Sequence, residues 1–258
     1  IALEYLNNWK TRPNRKPLIL RGARQVGKSY LVRIFAEKEG LDLLELNLET
    51  EVGILECFQS KNPQEIITLL ELKTNRKIIP GKTILFLDEI QKATDIFASL
   101  RYFYEKLPEL HVILAGSLFD FVFEEHNFSM PVGRIEYLYL GPMTFKEFLE
   151  GIGKENLSQY LSSYSIRDKL PLAVHDELLK LFKIYLVIGG MPEAVQTYKD
   201  TNSFLEVDRV KKSILLTYRD DFSNYSSPGK KSILQKIFQT LPASVGKKIM
   251  YMSLAPDE

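Results

Sequence analysis

Five short apolar runs, at 17–21, 43–48, 83–88, 111–116 and 134–140, alternate along the first half of the chain with stretches whose apolar residues recur at helical spacing. Alternation of this kind predicts a parallel α/β sheet with helices on both faces. The run 83–88 is continuous, which suits a strand buried on both sides. Between the second and third runs, Asn62-Pro63-Gln64-Glu65 predicts a helix start, with Asn as cap, Pro in the first turn and Glu three residues on. Ile66, Ile67, Leu69, Leu70 and Leu72 supply its apolar face. A second amphipathic helix is predicted over 94–107, directly after the third strand.

The pattern changes after Pro142. Thr144-Phe145-Lys146-Glu147 is a capping box. Beyond residue 156 only helices are predicted, at 157–164, 176–188, 203–218 and 230–240. Gly189-Gly190 closes the second with a Schellman-type stop, followed by Pro192. Ser226-Ser227-Pro228-Gly229 has the character of a linker. The expected organisation is a sheet domain over 1–150, a helical attachment over 151–222, and the start of a C-terminal helical or winged-helix region over 223–258. An opening at Ile1 and a close at Glu258 without a domain-ending pattern lead us to expect further residues on both sides.

Composition narrows the field. In 258 residues, 45% hydrophobic and 26% charged content is that of a globular protein, and a net charge of +1 gives no global pull toward nucleic acid or membrane. Residues 222–258 are locally basic through Lys230, Lys231, Lys236, Lys247 and Lys248, which reads as a solvated face or a nucleic-acid surface. A single cysteine, Cys57, excludes an intramolecular disulfide and a cysteine-rich zinc site. His111, His126 and His175 lie far apart without metal-ligand spacing. With no membrane-length apolar stretch and no leader pattern, we expect a cytoplasmic protein and no membrane partner.

The chemistry is concentrated at two strand ends. Gly22-Ala23-Arg24-Gln25-Val26-Gly27-Lys28-Ser29 fits GxxxxGK[ST] between a predicted strand and a predicted helix. Its glycines let successive backbone N–H groups turn inward around phosphate oxygens, and the helix start adds positive potential. Lys28 supplies a point charge for the β and γ phosphates, Ser29 a hydroxyl for Mg²⁺, and Tyr30 leads out of the loop. At the end of the third strand, Asp88 would hold the metal through its water shell and Glu89 would orient or deprotonate the attacking water. Ser117, after the fourth strand, could hydrogen-bond that water or cap a helix. Arg134, before the fifth, could reach a γ phosphate in its own or a neighbouring subunit, or be a surface arginine. At Gly190 a close approach to the nucleotide and a plain helix stop stand side by side.

Together GARQVGKS, FLDEIQ, ILAGS, the GR before a strand, LGPMTFKEFL and GGMPEAV resemble the AAA-like P-loop ATPases of bacteria and archaea that carry an uncharacterised C-terminal domain, often compared with STAND-type ATPases. The resemblance runs over about residues 15–225, with the six segments in the family's order. It implies an ASCE-type core with strand order 5-1-4-3-2, a helical lid, and ATP hydrolysis coupled to conformational change. It also implies that Gly22 to Ser29 form the phosphate loop, Asp88 and Glu89 the Walker B pair, Ser117 a sensor, Arg134 part of the arginine-finger region, and Gly190 with Pro192 the lid motif. Of the family's fuller C-terminal domain only Tyr218 to Phe222 and the stretch near Leu241 look like a beginning.

The expected function is Mg²⁺-dependent ATP hydrolysis driving a change that acts on a protein or nucleic-acid partner, with homo-oligomers possible through Arg134. The alternative is a switch set by ATP occupancy with little hydrolysis. A small-molecule kinase lacks support because no arginine cluster follows the carboxylate strand, and a GTPase because no NKxD motif occurs.

Overall fold

The computed structural model describes residues 1–93, 96–116, 133–165, 167–224 and 228–250. Packing divides the chain into two compact units, Ile1–Pro142 and Met143–Glu258.

The first unit is a five-stranded sheet between helices. In chain order it runs α1 (Ala2–Thr11), β1 (Leu18–Arg21), α2 (Lys28–Glu39), β2 (Asp42–Asn47), a 3-10 segment (Val52–Gln59), α3 (Pro63–Thr74), β3 (Thr83–Asp88), α4 (Ile96–Lys106), β4 (His111–Ala115) and β5 (Glu136–Tyr139). The strands lie in the order β2-β3-β4-β1-β5 and every pair is parallel, which is the 5-1-4-3-2 order implied by the resemblance.

Because successive side chains on a strand point to opposite faces, the apolar run of β3 feeds two cores. Leu85 and Leu87 join Val112 and Leu114 on one side, beneath Ile66 and Leu70 of α3 and Phe97, Leu100 and Phe103 of α4. Ile84 and Phe86 join Leu18, Leu20, Ile113 and Ala115 on the other, beneath Trp9 of α1 and Val32 and Phe35 of α2. Truncating a side chain such as Phe86 to alanine would cost about 3–5 kcal/mol, a transfer loss plus a cavity. Both faces are therefore spoken for, and the polar residues of β3 fall at its ends.

Local signals behave as their chemistry requires, with one exchange. Asn62 caps α3 through its side chain and the Gln64 N–H. Glu65 does not complete the reciprocal half of a box, because it accepts from the Ser60 hydroxyl at 2.6 Å. Among the described residues, α1, the 3-10 segment and the helix opened by Pro192 carry no expectation in the patterning, nor do the short 3-10 turns.

The second unit contains α5 (Phe145–Gly151), α6 (Glu155–Ser163), α7 (Leu172–Ile188), α8 (Pro192–Thr201), α9 (Phe204–Asn224) and α10 (Pro228–Thr240), with a short 3-10 turn at Leu241–Ser244. The Thr144 box forms in full, its hydroxyl accepting the Glu147 N–H while the Glu147 carboxylate accepts the Thr144 N–H at 2.9 Å. Packing places α5 in this unit, because Phe148 and Leu149 are buried with Leu178, Leu181, Ile188 and Val195.

Candidate nucleotide site

All five strands run the same way, so the turns after β1 and β3 open at one edge of the sheet, where ligands of such sheets bind. Gly22 leaves β1 with φ of 143°, and a Cβ there would lie 2.1 Å from the Leu140 carbonyl oxygen. That close approach is pinned by the Leu140 N–H, which donates to the Arg21 carbonyl at 2.8 Å. Gly27, at φ of 92°, is the residue before the first turn of α2. Val26 is buried and anchors the loop, while Ala23 and Gln25 are exposed and Arg24 is half-buried.

Lys28 is only 9% exposed. Its ammonium donates to the carbonyls of Gly22 and Ala23, both at 2.9 Å. Burial pushes its pKa below the ordinary lysine value, against the favourable charges of Glu89 and then Asp88, with Arg24 adding to the depression. A cation whose desolvation outweighs its partners is a receptor for further negative charge.

One hydrogen bond joins the two motifs. The Ser29 hydroxyl donates to Asp88 Oδ2 at 2.5 Å, the short length of a bond to an ionised acceptor. The other oxygen, Oδ1, accepts the N–H of Glu89 at 2.9 Å. Glu89 adopts the left-handed conformation, φ 55° and ψ 41°, as β3 turns into the 3-10 turn Ile90–Lys92, and the Gln91 side-chain amide donates to Glu89 Oε2.

Strain marks the same place. Among the described residues, the non-glycine positions with positive φ are Gln25, Asn75, Glu89 and Asn202. The two asparagines end α3 and α8, an ordinary use of that residue. Gln25 and Glu89 have no such excuse, and each conformation costs on the order of 1–3 kcal/mol, which the surrounding fold must offset. Both flank the Ser29–Asp88 bond in sequence and lie on the turns it joins.

The other predicted residues are distributed as follows. Tyr30 begins the exposed side of α2 and is 65% exposed. Ser117 lies outside the described residues. Arg134 does not reach this loop: Glu136 pairs with Leu18, so Arg134 stands at the amino edge of the sheet, about 20 Å along the strands from Gly22 at roughly 3.3 Å per residue. There its Nε donates to Glu105 at 3.4 Å. A γ phosphate in the chain's own loop is thereby beyond it, which leaves the reading in a neighbouring subunit and that of a surface arginine.

In the second unit, Gly189 stops α7 at φ 80° and ψ −171°, which is not the left-handed geometry of a Schellman stop. Gly190 is there for a steric reason, because a Cβ would meet the Met143 carbonyl oxygen at 2.1 Å, and its own carbonyl accepts the Met143 N–H at 2.7 Å. Pro192 occupies the first turn of α8. Sequence reading missed Gln91 and Leu140. A polar residue two positions after a strand-end carboxylate was the only available sign of the first; the second acts through its backbone and leaves none.

The donors suit a nucleotide and a small hard cation. Among the described residues no group of three or more His, Cys, Asp or Glu is placed to hold a metal. A hydroxyl and a carboxylate oxygen suffice for Mg²⁺, which keeps waters and takes phosphate oxygens for its remaining positions.

Comparison with known proteins agrees in kind. No curated protein matches the chain. Solved structures similar to it include AMPPCP-bound DnaA from Aquifex aeolicus (14% identity, 98% of this chain and 79% of that one, TM-score 0.39), Drosophila ORC bound to DNA (14%, 99% and 83%, TM-score 0.46) and C. elegans PCH-2 (13%, 81% and 64%, TM-score 0.42). None of the three reaches a TM-score of 0.5. A domain of unknown function, DUF8612, matches residues 179–257. The AAA domain matches residues 14–149, more than half of the chain and all five strands with their loop, and the chain belongs to that family of P-loop ATPases.

Proposed function

We propose that the protein binds ATP with Mg²⁺ at the carboxyl edge of its sheet and hydrolyses it, the turnover driving a change in the helical unit that acts on a protein or nucleic-acid partner. The observation that carries the site is the 2.5 Å bond from Ser29 to Asp88, because it brings together the two motifs, read independently, that a nucleotide and its cation require. The under-compensated charge of Lys28 and the strain at Gln25 and Glu89 support the same place.

In this reading the loop N–H groups and the start of α2 hold the β and γ phosphates. Lys28 turns from its own loop carbonyls to the phosphate oxygens and neutralises charge that builds in the transition state. Ser29 and Asp88 would hold Mg²⁺, which would supply Lewis-acid neutralisation of phosphate charge. Glu89 accepts a proton from the water as its oxygen bonds to the γ phosphorus and the bond to the bridging oxygen breaks, leaving ADP and phosphate. Ser117 as sensor, Tyr30, Gly190 and Pro192 as nucleotide contacts, Arg134 as a finger acting on a neighbouring subunit, a lid over 151–222 and a cytoplasmic location belong to this proposal. Among the described residues no helix is long and apolar enough to cross a membrane.

The test is Glu89→Gln. Loss of the base should reduce turnover by about 10²- to 10⁴-fold while a fluorescent ATP analogue binds as before. Equal phosphate release by both proteins would reject hydrolysis at this site and leave occupancy alone as the signal. Dependence on Arg134 predicts that specific activity rises with protein concentration, and that Arg134→Ala removes the rise.

A further inference from the structure

Nothing in the motif chemistry assigns a role to Gln91, yet its side-chain amide donates to the Glu89 carboxylate. We propose that Gln91 is a positioning residue for hydrolysis: its amide N–H holds the Glu89 carboxylate turned toward the phosphate loop, so that the base is already aimed when the nucleotide arrives. The inference rests on the ATPase reading above and deepens it.

Three observations support the direction of the effect. Glu89 sits on a left-handed residue, so its backbone leaves the side chain without the register of either strand or helix and a second support must fix it. Glu89 follows directly on Asp88, which accepts both the Ser29 hydroxyl and the Glu89 N–H, so the turn that carries the carboxylate stands at the phosphate loop. The amide is also there at a cost. Among the described residues, buried Gln91 Oε1 accepts no hydrogen bond, whereas its N–H is used. A glutamine kept only for packing would be better replaced by an apolar side chain of the same length, because a buried acceptor without a partner destabilises the fold. What the residue provides is therefore the donor.

This separates two kinds of support in a way that can be measured. Gln91→Met keeps the length, removes the donor and removes the orphaned acceptor. The expected result is a melting temperature of the nucleotide-free protein equal to or above that of wild type, unchanged affinity for an ATP analogue, an unchanged KM for ATP, and kcat lower by about 10- to 100-fold, the size of a lost orienting hydrogen bond. Gln91→Asn, which restores a donor on a shorter arm, should recover part of the kcat. In a Glu89→Gln background Gln91→Met should add no further loss, since there is no base left to aim.

A kcat equal to wild type overturns the proposal, as does a rise, which would make the contact a restraint. A loss that persists at full size behind Glu89→Gln, or one that follows a fallen melting temperature, overturns it in favour of a packing role. If Glu89→Gln itself leaves turnover unchanged, the ATPase reading has failed first and the role of Gln91 falls with it. The single and double variants tell the two failures apart.

Discussion

At the amino edge of the sheet the buried cation is Arg15, and at the carboxyl edge it is Lys28; both give their protons to backbone carbonyls. The acceptors differ. Arg15 reaches Lys10 at 2.6 Å and, across the sheet, Pro108 and Glu109 at 2.8 Å, and it lies against the Trp9 ring. Trp9 in turn donates to the Lys16 carbonyl and meets the ring of His111 edge-on. These bonds tie segments that are distant in sequence. Among the described residues Lys28 donates only to its own loop, opposite two carboxylates and with the strained Gln25 and Glu89 on the turns beside it. The first arrangement is a cross-link; the second is a set of partners that can be exchanged for a ligand.

If that contrast is right, stability and binding should part company between the edges. The largest effect is expected at Arg15→Met, which strands two or three carbonyls and should lower unfolding stability in urea by about 3 kcal/mol while the folded protein still binds an ATP analogue. Equal stability would dissolve the contrast. Next is pH. Burial first, then the charges of Arg15 and Lys10, push the His111 pKa down to about 4 against the hydrogen bond to the Thr83 backbone. The unfolded chain takes up the proton near pH 6.5 and the folded one does not, so stability is present above that value and is lost as pH falls toward 4. About 2 kcal/mol should go between pH 7 and 4.5, read as the part of the pH dependence that His111→Phe removes.

Smaller still is Glu89→Gly, where relief of the left-handed strain should raise stability by about 1 kcal/mol while turnover is abolished. The smallest is Lys28→Met. It should change stability by less than about 0.5 kcal/mol, yet weaken analogue binding by at least about tenfold. A large loss of stability at Lys28 would show that its loop bonds are structural after all.

The strands were legible because apolar runs bounded by Gly, Pro and charge have few other uses, and Asp88 and Glu89 announced themselves by ending one. The order of those strands is a long-range property. Nothing in the patterning of Leu18 or His111 says that they share a boundary, and only the family resemblance supplied it. The same distance hid the fate of Arg134. Its place before a strand was readable, but only the parallel direction of β5 shows that such a place lies on the wrong edge for the chain's own loop. Local chemistry failed where a competitor stood nearby, as when Ser60 took the carboxylate of Glu65. Gln91 was visible as a letter and silent as a partner, since its contact depends on the turn that Glu89 makes.

The crowding of Gly22 against residue 140 reaches past the loop itself. With the Leu140 carbonyl where a methyl would have to go, and its N–H fastened to Arg21, the phosphate loop cannot swing without carrying that peptide along. Two residues later the sheet unit ends. The turn after β1 and the end of β5 are therefore one mechanical piece, and any side chain larger than hydrogen at position 22 would have to displace the last strand as well as the turn.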